Sequence, residues 1–102
     1  MSEMALTPVE VIDQYGWKQN GYGSTDEGFC LVGAYVYAKT GLTVGKSINP
    51  LRAYETVFRC VDLASKYLGL AKDNFLSWQD SPHRTKEEII IVLEAIQGVS
   101  ND

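Results

Sequence analysis

Histidine occurs once in this chain, at His83, and cysteine twice, at Cys30 and Cys60, with neither a Cys-x-x-C spacing nor a partnering histidine cluster. A structural zinc site needs four such ligands, so neither a metal nor a cofactor is expected. In a reducing compartment a disulfide is not expected either. Basic charge is short as well: nine Lys and Arg stand against thirteen Asp and Glu, giving a net charge of -4 and a pI near 4.9. That is the wrong sign for a chain that must neutralise phosphates, and nucleic acid is set aside as a partner. Long hydrophobic runs are missing. The longest, Phe29 to Ala38, has ten residues, whereas a bilayer crossing needs about 20, so no membrane role is expected. The opening MSEMALTPVE has no basic start and no apolar core, and it contains Glu3 and Glu10. It does not read as a secretory signal, and a cytoplasmic location is the expectation.

What is present is an ordinary globular composition, 102 residues with 45% hydrophobic, 22% charged and 11% aromatic. It excludes a disordered tail or a collagen-like repeat and suits one small domain over 1–102, with 1–6 and 99–102 as flexible tails. The local signals predict an all-α fold of about four helices, with a buried central helix and two long loops. Thr7-Pro8-Val9-Glu10 combines an N-cap, a proline at the first helical position and a capping-box glutamate, and predicts a helix over 8–15 closed by a left-handed Gly16. The glycine-rich stretch from Trp17 to Gly28 reads as a loop, with a tight turn around Tyr22.

The run FCLVGAYVYA is apolar on every side. The acidic pair Asp26 and Glu27, Lys39 in the last turn and Gly41 beyond favour a helix over 27–39, with a buried strand as the alternative left by its β-branched and aromatic content. Gly33 there predicts a close approach of another backbone or a large ring. Gly41 to Ser47 is read as loop. Asn49-Pro50 opens a third helix over 50–68, with Leu51, Tyr54, Phe58, Val61 and Leu68 at helical spacing and Gly69 as its end. Leu70 to Arg84 is read as the second long loop. Thr85-Lys86-Glu87-Glu88 is another capping box, opening a helix over 86–97 with Ile89, Val92, Leu93 and Ile96 on one face and Gly98 as its end.

Two motifs invite a sharper chemistry. Gly41-Leu42-Thr43-Val44-Gly45-Lys46-Ser47 looks like a phosphate loop, but three residues separate its glycines instead of four, no strand pattern precedes it, and the next helix starts after it; an exposed turn is the better reading. Cys30, at the start of a buried helix, together with Asp80 and His83, makes a conceivable nucleophile set. The stretch Phe29 to Gly41 also loosely resembles the nucleophile helix of the NlpC/P60 cell-wall peptidases. In that family the histidine sits on a sheet, and helix starts follow here instead, so Cys30 is expected to be buried and to pack as a small apolar residue.

Taken together, Gly16-Trp17-Lys18-Gln19, Cys30-Leu31-Val32-Gly33-Ala34, Trp78-Gln79-Asp80 and Arg84-Thr85 resemble a family of short uncharacterised phage and bacterial proteins, a domain of unknown function with the pattern G-W-x-Q, C-L-x-G-A, W-N-D and G-R-T. Gln79 stands where that pattern has Asn, and His83 where it has Gly, which weakens a catalytic role for His83. The resemblance implies no activity. From residue type, Trp17, Gln19, Trp78, Asp80, Arg84 and Thr85 are the candidate binding residues, expected to form one cluster where the two loops meet. That cluster is either an internal brace or a ligand site. The functional expectation is a small non-enzymatic binding protein, a phage accessory protein on the resemblance, that engages a host protein or sequesters a small metabolite. The alternatives are a small cysteine hydrolase using Cys30 and a structural protein that self-associates into a homo-oligomer.

Overall fold

The computed structural model describes residues 6–46 and 49–98. The chain runs α1 (Pro8–Tyr15), β1 (Gly23–Ser24), β2 (Gly28–Phe29), α2 (Leu31–Thr40), a short 3-10 turn (Val44–Lys46), α3 (Pro50–Leu68), α4 (Lys72–Gln79) and α5 (Lys86–Gln97). Helix starts follow their capping chemistry. Before α1 the Thr7 hydroxyl accepts from the Glu10 N–H at 3.2 Å and the Glu10 carboxylate accepts from the Thr7 N–H at 2.8 Å. Thr85 and Glu88 repeat this before α5 at 3.2 and 2.9 Å. Asn49 caps α3 by accepting from the Arg52 N–H at 3.2 Å, and Gly41 and Gly69 close α2 and α3 in the left-handed conformation, both at φ 73°.

The fold is mainly helical, and it corrects the sequence expectation in four places. Asp26 and Glu27 do not open α2. Gly28 and Phe29 form a strand instead, antiparallel to Gly23 and Ser24 on one side and bridged in parallel to Trp17 on the other. The helix therefore starts at Leu31, with Cys30 as its cap. Gly16 has φ 99° and ψ 169°, which is not the left-handed helical cap expected; it carries the chain straight into this ribbon, where the Phe29 N–H donates to the Gly16 carbonyl at 2.9 Å. The second long loop contains α4, whose N-cap is Ala71 with no side-chain cap bond; this missing local signal explains why a loop is read there. The loop after Gly41 holds the 3-10 turn, and Ser47 lies outside the described residues. Of the expected tails, 1–5 and 99–102 lie outside the described residues, while Leu6 packs against the core.

α2 is the central element. Leu31, Val32, Ala34, Tyr35 and Val36 are all fully buried, and the helix packs against α1, α3 and α5, as a segment apolar on every side requires. Gly33 lies against the backbone of Tyr22, so the approach expected at this position is made by the hairpin, not by another helix. α3 covers the expected residues, Pro50–Leu68, but the large apolar side chains at helical spacing do not make up its inward face. Its inward face is built from small or branched side chains, Ala53, Val57, Cys60 and Ala64, while Leu51 is 71% and Phe58 69% exposed.

Candidate functional site

The segment after α1 and the end of α4 are brought together by hydrogen bonds across some sixty positions of sequence. The Gln19 amide donates to the Gln79 carbonyl at 3.0 Å and to the Ser81 carbonyl at 2.8 Å. The Asn20 N–H donates to the Asp80 carboxylate at 3.0 Å, in a left-handed backbone conformation at φ 65°. A short polar side chain such as asparagine tolerates that conformation better than most. Gln79 turns inward: its side-chain oxygen accepts from the Val32 N–H at 3.4 Å, a long bond to a donor in the first turn of α2 that has no carbonyl partner within the helix.

Of the six candidate binding residues, Gln19 and Asp80 face this junction directly. Arg84 lies over the Trp78 ring at 4.0 Å, donates to the Trp78 carbonyl at 2.8 Å and pairs with Glu88 at 3.2 Å. Its charge is thereby met within the chain, and the Thr85 N–H bond, followed by Arg84, holds the Glu88 carboxyl below its ordinary range. Trp78 stacks on Phe75 at 6.0 Å, and Thr85 is committed to capping α5. Trp17 is drawn into the ribbon beside Phe29, with its indole N–H buried and without a hydrogen-bond partner among the described residues. The contacts of these four are made within the chain.

Beside the junction is a groove made of two adjoining hollows that share Tyr22 and Leu76 as walls. One, of about 350 Å³, carries the polar groups, with Asn20, Gln79 and Asp80 around it and Cys30 in its lining. The other, of about 400 Å³, is apolar, lined by Val32, Val57, Phe58 and Val61, with Lys72 at its edge. Lys72 is held by Asp62 at 3.2 Å. Among the described residues no cation pairs with Asp80. A wider hollow of about 570 Å³ lies elsewhere, between Tyr15, Tyr37 and Gly41. Its tyrosines are occupied with one another and with Phe29, and it collects no residue of the loop junction.

Tyr22, Asn20, Leu76 and Gln79 are not among the candidate binding residues read from the sequence. The glycines on either side of Tyr22 and the departure from Asn at position 79 are the signals that could have found two of them. Burial raises the Tyr22 hydroxyl pKa, with the neighbouring Cys30 adding to it.

Cys30 is 1% exposed, and its sulfur accepts from the Gly33 N–H at 3.3 Å as the cap of α2. Burial first, then the Asp80 charge, push its thiol up to about 11, although the helix N–H groups pull the other way. His83 is exposed on the loop, its N–H directed at the Ser81 hydroxyl at 3.5 Å, and among the described residues no hydrogen bond joins it to Cys30. No group of three His, Cys, Asp or Glu able to hold a metal is found among the described residues, nor is any helix among them long and apolar enough to cross a membrane.

The thiol state has a direct test. Because the folded pKa of Cys30 lies above the unfolded reference of 9.0, its contribution to stability is complete below pH 9 and fades as pH rises through about 11. Cys60, buried completely and raised for the same reason, acts in the same direction. Iodoacetamide at pH 8 is therefore expected to label Cys30 only as fast as the chain opens, and to label it promptly in denaturant. Fast native labelling with a midpoint near neutrality would contradict the protonated, buried thiol.

A family model described as Family of unknown function (DUF6197) matches residues 9–97. No curated protein and no solved structure matches the chain.

Proposed function

The chain belongs to a family of unknown function, so no activity carries over to it, and we propose that it is a small non-enzymatic binding protein whose groove takes an amphipathic amine. The observation that carries this reading is the Asp80 carboxylate, without a cationic partner among the described residues, at the polar end of a groove whose other end is an apolar hollow of about 400 Å³. Small-molecule sites combine an apolar wall with a few convergent polar groups in this size range. The apolar body of the ligand lies against Tyr22, Val57 and Leu76, and its ammonium meets Asp80. The Asn20 N–H already fixes one carboxylate oxygen, so the charge is presented without a search over rotamers. A protonated thiol in the lining supplies no nucleophile, which supports sequestration over turnover. On this reading the protein works in the cytoplasm by holding a small metabolite.

The test is titration with hexylamine and, separately, hexanoate, followed by calorimetry and by amide chemical shifts. Hexylamine is expected to bind and hexanoate to fail. Asp80→Asn keeps the acceptor for Asn20 but removes the charge, and is expected to weaken the amine about tenfold, the scale of one charged hydrogen bond, with little change in Tm. Equal binding of the two probes, or an Asp80→Asn protein that binds the amine as well as the original, would overturn the proposal.

A further inference from the structure

The outward face of α3 carries apolar side chains that the fold does not use. Leu51, Tyr54 and Phe58 are exposed and, with the half-buried Val61, fall within roughly 80° of the helix circumference. Isolated exposed hydrophobics are ordinary, but a contiguous stripe on a soluble surface marks a contact. The adjoining sector, away from the core-facing side, carries Arg52, Glu55, Arg59 and Asp62, alternating in sign along the helix.

That alternation identifies the occupant. When the helix is reversed end for end about Val57, Arg52 falls opposite Asp62 and Glu55 opposite Arg59; Asp62 is already held within the chain by Lys66 at 3.3 Å and Lys72 at 3.2 Å, so Glu55 with Arg59 is the pair that sets the register. In the same register the apolar residues interleave, with Tyr54 at a height between Phe58 and Val61 of the second copy. A two-fold axis perpendicular to two antiparallel helices brings the same flank of both helices together, which is what a self-complementary interface requires. A parallel pair would instead set the charged flank against the partner's core-facing side. Charges flanking an apolar seam select partner and orientation in this way.

We propose that a second copy of this chain docks on this face, α3 against α3 in antiparallel register, through Leu51, Tyr54, Phe58 and Val61. The seam is short. It falls at the low end of specific interfaces, so association in the micromolar range is expected. Phe58 and Val61 also wall the apolar hollow, so a dimer closed over them competes with an amine there, and association is measured on the chain without added amine.

Sedimentation equilibrium of the full chain from about 5 to about 200 µM, spanning that affinity range, is expected to show a species of twice the 11.3 kDa chain mass. Phe58→Glu is expected to weaken association more than about tenfold, with an unchanged far-UV melt because the side chain is exposed in the protomer. Glu55→Arg and Arg59→Glu each set like charges opposite one another and are expected to weaken it about tenfold; the double variant restores the pairs and is expected to return within about threefold of the original. A chain monomeric throughout, a Phe58→Glu protein that still dimerises, or a double variant with no recovery would each overturn the proposal. A mixed complex with another protein in place of the dimer would do so too.

Discussion

Gly33→Ala is expected to destabilise the protein by about 3 kcal/mol, although the same substitution in an exposed helix interior stabilises by up to about 1 kcal/mol. The sign reverses because of what lies against this position. A Cβ there would collide with the Tyr22 carbonyl oxygen and lie 2.9 Å from the Tyr22 carbonyl carbon and 3.3 Å from the Phe29 ring. A flexible side chain could give way, but the main obstacle is backbone. The same Tyr22 carbonyl accepts from the Cys30 N–H at 3.3 Å, so moving it loosens the entry to α2 and the wall of the groove together. Urea denaturation measures the loss directly as a lower midpoint at constant slope. An unchanged or raised midpoint would mean that the hairpin does not press on α2. Reduced amine binding should accompany the lost stability, since Tyr22 walls both hollows.

Gln79→Ala is expected to cost about 2 to 3 kcal/mol, combining a buried N–H left without its acceptor and the space left by the amide. Gln79 is 2% exposed. Its side chain reaches the Val32 N–H at 3.4 Å while its backbone carbonyl accepts from Gln19 at 3.0 Å, so it ties the end of α4 to the start of α2 and to the first loop. The substitution keeps the backbone bond and removes the side-chain one, which separates the two contributions. Gln79→Asn, one methylene shorter, is expected to lose less than the alanine variant because the donor and acceptor remain. Thermal and urea melts of the two variants provide the check: an alanine variant as stable as the original would show that the Val32 contact contributes nothing.

Gly33 is legible in the sequence as a point of close approach, though not which backbone approaches it, while the bracing role of Gln79 is not, and the reason is physical. Where an interaction spans three or four residues, the sequence is legible: Thr7 with Glu10, Asn49 with Arg52 and Thr85 with Glu88 cap the helices they were expected to cap, because cap chemistry is complete within one turn. The burial of α2 was legible too, since a segment apolar all round has to be surrounded. Elsewhere local preference is ambiguous and packing chooses. Phe29 became a strand residue because Gly23 and Trp17 offered backbone partners on both of its sides. On α3 two faces were apolar, and the one carrying Ala53, Cys60 and Ala64 turned inward against α2 and α5, where smaller side chains let helix axes come closer. The larger residues were left outside, where they supply the groove wall and the proposed seam. The loop junction depends on partners some sixty residues apart, Gln19 with Gln79 and Asn20 with Asp80; their donors and acceptors are visible in the sequence, but their meeting follows from how α1, α3 and α5 pack around α2 and how α4 packs on α3.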